Sequence, residues 1–325
     1  MILIISNPDD AHAAFIMAKL RERGAAHACV YHRQFPAQSR VSVRFVDGKP
    51  QAWWRNGEQS IDLSTVTAIW YRRAYMPVPD AVVTDPKLRA ALADDCDLFL
   101  RDLWGTVDCL IVPAPSLTIR QADMKATQLA VAARLGLDIP ETLIGNDPDE
   151  LLSFYRAHDG VAISKLASPA LNRDLLDPAF VRYTEVISHR DLAHFRAARL
   201  GPTIFQAYVP KKLELRVTLI GDQIFPVEIH SQKTRRTQHD WRHYDHDNTP
   251  LHPHVLPAEI EARLRAFLRH FRLQYGAIDM ILTPDDRYVF LELNPNGQFL
   301  WIEELTGLPM SDALCDLLQS GGDSR

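Results

Sequence analysis

The stretch from Ala277 to Gly297, AIDMIL-TPDDR-YVFLELN-PNG, restricts this chain more than any other. Two apolar runs flank a turn of Thr, Pro and Asp, the pattern of a β-hairpin that belongs in a core. Its metal-competent side chains outside the turn are Asp279, Glu292 and Asn294. Strand side chains alternate between faces. Tyr288, Phe290, Glu292 and Asn294 are therefore expected on one face, and Val289, Leu291 and Leu293 on the other. Glu292 and Asn294 would then lie about 7 Å apart along the strand. Asp279 points away from Ile278, Met280 and Leu282, and a closed hairpin sets it about one residue from a position opposite Glu292. Oxygen donors gathered this way suit Mg²⁺ or Mn²⁺, and Mg²⁺ commonly takes one or two carboxylates plus substrate phosphates. A polar strand face that holds no ion fits the same pattern.

The remainder reads as α/β in three units: 1–118, 119–200 and 201–325. In the first, MILII opens a strand, Asp9 or Asp10 caps the helix that follows, and Asp47-Gly48 turns a hairpin. Residues 112–118, VPAPSLT, read as a connector. In the second, Asp123 is the expected N-cap and Gly136 the C-cap of one helix, with a later strand GVAISKL. The third opens near PTIFQAYVP, turns at Gly221-Asp222, and contains a helix with Ile260, Leu264, Phe267, Leu268 and Phe271 on one face.

Composition narrows the function. A net charge of −5 over 325 residues disfavours a non-specific nucleic-acid binder. No apolar run reaches the ~20 residues that span a bilayer, and the N-terminus has no signal-peptide pattern. Cys29, Cys96, Cys109 and Cys315 lack metal-type spacing and read as reduced thiols of a cytoplasmic protein. Neither G-x-G-x-x-G nor a Walker-A loop occurs, which removes the usual signatures of Rossmann enzymes and P-loop NTPases. No Ser-His-Asp or Cys-His arrangement supplies a covalent nucleophile.

Several residues carry charge or hydrogen-bonding capacity in useful places. Lys125 lies in the first turn of its helix, and Lys165 follows the apolar VAIS. Either can serve as a point charge for phosphate, though alone each reads as a solvated lysine. Gln206 stands at a strand end before a short hinge, and a glutamine amide can read an adenine edge. Glu214 and Arg216 share a strand face, suited to a ribose hydroxyl and a phosphate, or simply to a cross-strand ion pair. From Lys211 to Arg242 the chain holds seven Lys or Arg against four acids. Lys233, Arg235 and Arg236 are hypothesised to clamp carboxylates of an acidic peptide, against the alternative of a solvated basic loop. The histidines around His239 and His243 read as a polar loop, facing substrate through Asp240 and Arg242, because Pro250 and Pro253 break any helix and no cysteine accompanies them.

The ordered set Lys125, Lys165, Gln206-Ala-Tyr-Val, Glu214, Arg216, Asp279 and Glu292-x-Asn294 resembles the ATP-grasp superfamily of carboxylate–amine ligases. IWYRRA, QAYVPKKLELRV, QHDWRHY and LELNPNGQFLWIEELTGLPM look most like the graspetide synthetases of the microviridin type, across roughly residues 66–318. The resemblance implies a three-unit ATP-grasp fold behind a Rossmann-like pre-ATP-grasp domain. It also implies ATP and two Mg²⁺ ions as cofactors. Lys125 and Lys165 would contact phosphates, while Gln206, Tyr208 and Val209 line the adenine hinge. Glu214 would take the ribose, Arg216 the moving phosphoryl group, and Asp279, Glu292 and Asn294 the metal. The implied activity joins Asp/Glu side chains of a precursor peptide, with leader and acidic core, to Thr/Ser hydroxyls or Lys amines as macrocyclic esters or amides. A homodimer is the family habit. The alternatives are a RimK-like ligase adding a free amino acid and an inactive nucleotide- or peptide-binding module. One departure is the absence of glycine in LASPALNRDLLDPAF after Lys165, where many relatives carry a Gly-rich flap.

Overall fold

The computed structural model describes residues 1–166, 185–233 and 249–321. The N-terminal unit runs β1 (Ile2–Ser6), α1 (Ala11–Glu22), β2 (His27–Tyr31), an antiparallel sheet of β3 (Ser39–Val46), β4 (Lys49–Asn56) and β5 (Gln59–Asp62), then β6 (Ala68–Tyr71), α2 (Pro86–Thr106) and β7 (Leu110–Val112). Asp10 caps α1 through its side chain, as expected. Asp47 and Gly48 both take positive φ between β3 and β4, the two-residue turn whose twist matches paired strands. The parallel sheet has the order β2-β1-β6-β7. The chain leaves β1 to one side for β2 and to the other for β6, so a switch point opens between Ser6 and Tyr71.

Next come α3 (Ser116–Asp123) and α4 (Lys125–Arg134). Two expectations fail here. Ser116, Leu117 and Thr118 are not connector but the first turn of α3, because Ile119 and Ala122 bury one face just past the prolines. Asp123 ends α3 rather than capping α4, whose N-cap is Met124. The central sheet contains β8 (Thr142–Gly145), β9 (Ala162–Leu166), β10 (Glu185–Val186) and β11 (Thr203–Ala207), in the order β10-β9-β11-β8. The strand expected to open the third unit, β11, thus pairs with β8 and β9 in the middle sheet. Helix α5 (Pro148–Ala157) buries Leu151 with Ala162, Ile187 and Phe205 on one side of that sheet. Alternation puts Ile163, Lys165, Ile204 and Gln206 on the other side.

The C-terminal unit holds β12 (Leu213–Ile220), β13 (Gln223–Ile229), β14 (Leu251–Pro253), α6 (Ala258–His270), β15 (Tyr275–Leu282), β16 (Tyr288–Asn294), α7 (Leu300–Thr306) and α8 (Met310–Ser320). Its antiparallel sheet has the order β14-β13-β12-β15-β16. On one face Leu215, Val217, Ile278, Met280, Phe290 and Leu293 share a core with Leu264, Phe267 and Phe271. The rings of Phe267 and Phe290 lie 4.9 Å apart. Phe290 is therefore not on the face shared by Glu292 and Asn294. A β-bulge is the reason: Asp279 pairs with Glu292 while the next residue, Met280, pairs with Phe290, leaving Leu291 over. The extra residue reverses the alternation between Phe290 and Glu292.

As the last strand of its sheet, β16 has an outer edge whose backbone groups need partners. Gln128 on α4 supplies them. Its Oε1 accepts from Leu293 N at 2.9 Å, and its Nε2 donates to Leu293 O at 3.0 Å. Asp138 O accepts from Phe290 N at 2.8 Å. On the other side, the crevice between β1 and β6 receives the segment after β16. Arg72 Nη1 donates to Asn296 O at 2.7 Å. His12 Nε2 accepts from Phe299 N and Leu300 N, each at 3.2 Å. Asp10 Oδ2 accepts from Ser6 Oγ at 2.8 Å and lies 3.3 Å from Arg72 Nε. Burial opposes the Asp10 charge, but Arg72, Ser6 and Arg73 outweigh it and hold the carboxyl below its usual range.

Gln128→Met keeps the volume of the side chain but strands a buried N–H and a C=O on β16. It should lower stability by about 1–3 kcal/mol, read as a lower urea midpoint at unchanged slope. His12 makes a second prediction. Burial, then the nearby Arg72 charge, lower it to about 4. The unfolded imidazole titrates near 6.5, so between those values the unfolded chain binds the extra proton. Stability from His12 is whole above about pH 6.5 and is lost as pH falls toward 4. His12→Gln should flatten that part of the thermal-stability profile; an unchanged slope would count against the assignment.

Candidate active site

Alternation on β12 turns Glu214, Arg216 and Thr218 to the face opposite the α6 core, while Leu213, Leu215 and Val217 turn inward. Arg216 stands directly opposite Asp279 on β15. Its Nη1 donates to Asp279 Oδ1 at 2.8 Å and to Oδ2 at 2.9 Å. Asp279 is in turn opposite Glu292, and Asn294 Nδ2 donates to Asp279 Oδ2 at 3.0 Å. Lys125, at the start of α4, brings Nζ to 2.8 Å from Glu292 Oε2. Five residues from α4, β12, β15 and β16 thus meet at one polar spot, with the guanidinium and ammonium beside the two carboxylates.

Asp123 adds a third carboxyl. Burial, with Glu292 nearby and Lys125 pulling the other way, raises it to about 6. Gly297 closes one side of the spot. A Cβ there would lie 2.5 Å from Arg216 Nη2 and 2.5 Å from Ala277 Cβ, closer than atoms can pack. Tyr275 OH donates to Gly297 O at 2.6 Å. Burial pushes the Tyr275 phenol up to about 12 although Arg72 and Arg216 both act to lower it, so the two arginines flank this bond.

A second group sits where β11 leads into β12. Glu214 is 4% exposed and pairs with Lys211. Burial, then the Glu214 charge, raise the Tyr208 phenol above its usual value. Gln206 is 1% exposed, and its Nε2 donates to Thr142 Oγ1 at 2.9 Å. Its Oε1 is buried with no hydrogen-bond partner among the described residues. That acceptor fits an exocyclic amine such as adenine's. The oxygens of Asp279, Glu292 and Asn294 are hard donors that fit Mg²⁺.

Lys125, Arg216, Asp279, Glu292 and Asn294 thus share one spot, and Tyr208 and Glu214 another. Val209 follows Tyr208 in the hinge, while Lys165 and Gln206 share one face of the central sheet. The side chain of Lys233, and Arg235, Arg236, Asp240 and Arg242, lie outside the described residues, as do His239, His243 and most of the segment after Lys165. Sequence reasoning missed Asp123 as a half-buried carboxyl, Gln128, Arg72 and the close packing of Gly297. A glutamine on the apolar face of α4 was the available signal for one of them.

Comparison with known proteins gives a consistent picture. Residues 1–114 match the family model described as the MvdD pre-ATP grasp domain. Macrocyclase MdnC from Microcystis aeruginosa MRC, solved with precursor peptide MdnA, is 31% identical over 98% of both chains, with a TM-score of 0.84. A RiPP-associated ATP-grasp ligase of Chryseobacterium gregarium, solved with ADP and a leader and core peptide, is 29% identical over 98% of this chain and 96% of that one, with a TM-score of 0.86. Macrocyclase MdnB, also from Microcystis aeruginosa MRC, is 28% identical over 98% of both chains, with a TM-score of 0.79. A search of curated protein sequences finds no match.

Gly297→Ala tests the packing at the spot. The added methyl has to displace Arg216, Ala277 or the turn itself, so stability should fall by about 1–3 kcal/mol. Parental stability in urea would mean that the turn yields without cost.

Proposed function

The chain belongs to the peptide-macrocyclising ATP-grasp ligases of the microviridin type, and from that membership we propose that it joins side chains within a precursor peptide at the expense of ATP. The observation that carries the reading is the spot where Arg216, Asp279, Glu292, Asn294 and Lys125 meet. The peptide would carry a leader and an acidic core, and the products would be side-chain esters to Thr/Ser or amides to Lys. No helix among the described residues is long and apolar enough to cross a membrane. A cytoplasmic location is taken into this reading from the sequence, and a homodimer from the family resemblance alone.

The chemistry explains why ATP is needed. A carboxylate is a poor acyl donor because its leaving group would be oxide. Transfer of the γ-phosphoryl group to a carboxylate oxygen breaks the bond to ADP and gives an acyl phosphate. A hydroxyl or amine then attacks the acyl carbon, loses its proton, and expels phosphate.

Each side chain has a part in this reading. Gln206 Oε1, with the Tyr208–Val209 backbone, accepts adenine. Glu214 takes the ribose. Lys125 and Lys165 face the phosphates, and Arg216 offers its donors to the group in transit. Asp279, Glu292 and Asn294 would hold Mg²⁺, two ions in all, which supplies neutralising charge at the phosphates. Lys233, Arg235, Arg236, Asp240 and Arg242 are assigned to the acidic peptide by sequence.

Incubation with a candidate precursor, ATP and Mg²⁺ should remove one water mass per crosslink, read by mass spectrometry. Glu292→Gln should lower ATP turnover by more than about a hundredfold, and Arg216→Met by roughly a thousandfold, with circular dichroism unchanged. ADP release that requires a free amino acid instead of a peptide would overturn the macrocyclase reading.

A further inference from the structure

Open parallel sheets bind ligands at the carboxyl ends of their strands, in the crevice where strand order reverses. Here that crevice, between β1 and β6, is filled by the chain's own Asn296–Leu300. Arg72 reaches Asn296 O at 2.7 Å from one side, and Tyr275 reaches Gly297 O at 2.6 Å. His12 fixes the far end by accepting the N–H groups of Phe299 and Leu300 at 3.2 Å. Asp10, itself bonded to the Ser6 hydroxyl, lies 3.3 Å from Arg72 Nε. Every group in this set is polar and buried. Arg72, Tyr275 and His12 partner the backbone of one short turn, and Asp10 and Ser6 stand behind Arg72.

That turn is joined to the site at two points. Only Pro295 separates it from Asn294, and Gly297 N donates back to Asn294 O at 3.1 Å. Gly297 also lies so close to Arg216 that no Cβ fits between them. The turn's position is thereby linked to Asn294 through that hydrogen bond and to Arg216 through close packing. Arg72 itself is 3% exposed, which keeps it from touching peptide or nucleotide.

Resting on the reading of the C-terminal spot as the Mg²⁺·ATP site, we infer that Arg72, backed by Asp10 and His12, is a positioning residue. It fixes the Asn296–Leu300 turn and through it the metal ligand Asn294 and the guanidinium of Arg216. The N-terminal unit thereby tunes metal binding on a sheet to which it contributes no strand.

Two variants of the full chain test this. Arg72→Met keeps length and removes the donors; Tyr275→Phe removes one hydroxyl and little else. In Arg72→Met, amide hydrogen exchange across 296–300 should accelerate, and the Mg²⁺ concentration for half-maximal activity should rise about tenfold. The KM for ATP should change by less than about threefold, because the adenine hinge lies elsewhere. Tyr275→Phe should shift exchange and Mg²⁺ dependence the same way by a smaller factor. Parental exchange and parental Mg²⁺ dependence in both variants would overturn the inference, as would a rise in the KM for ATP equal to that for Mg²⁺. If Arg72→Met does not fold, Tyr275→Phe decides alone. Exchange is measured without ATP or peptide, so a parent enzyme that makes no crosslinks defeats the proposed function separately.

Discussion

The arrangement of the site depends on one extra residue in a strand. Leu291 bulges from the β15–β16 ladder. Without it, pairing of Glu292 with Asp279 would set Phe290 on the same face as both, in the middle of the polar spot. With it, Phe290 turns down onto Phe267 and Leu293 joins the same core, while Glu292 and Asn294 stay together on the opposite side. The bulge satisfies two demands that a regular strand cannot meet at once. It gives the hydrophobic core its aromatic ring and keeps the oxygen donors of three positions on one face.

The second constraint is charge. Asp279 and Glu292 are largely withdrawn from water, and buried carboxylates without counter-charge cost several kcal/mol each. Arg216 and Lys125 meet that cost in the free protein. In the proposed reaction the same two cations would face phosphate, and the carboxylates would hold divalent metal. Each charged group then changes partner and none loses one, so the free site can be folded and buried before nucleotide arrives. The third carboxyl, Asp123, also feels Lys125, but burial outweighs that charge and Glu292 opposes it, so it is raised to about 6.

Much of this was legible in the sequence because it follows from short-range pattern. The hairpin turn at TPDDR, the apolar face of α6 and the shared face of Glu214 and Arg216 all follow from periodicity and turn chemistry. Hairpin closure placed Asp279 within about one residue of Glu292, and the bulge made the two direct partners. What could not be read was the bulge, since VFLEL alternates plausibly either way and only the register against β15 decides. The fate of β11 was hidden for a related reason: TIFQA is a good strand, but which sheet it completes is a tertiary question. Asp123 looked like a cap because aspartate usually is one. Its real position came from α3, whose first turn was mistaken for linker on the strength of two prolines.

Gln128 and Arg72 illustrate a different limit. Each is a polar side chain whose partners are backbone atoms far along the chain, Leu293 and Asn296. A sequence motif describes side chains, and it contains no sign that a distant peptide group needs a donor. The need arises only once β16 is seen to be an edge strand and the following turn to lie in a crevice that comparable sheets leave open to ligands. Both residues thus grip β16 from outside its own sheet, Gln128 on one flank and Arg72 at its exit. The strand that carries Glu292 and Asn294 is held by α4 and by the N-terminal unit, so the three parts of the chain are coupled through it.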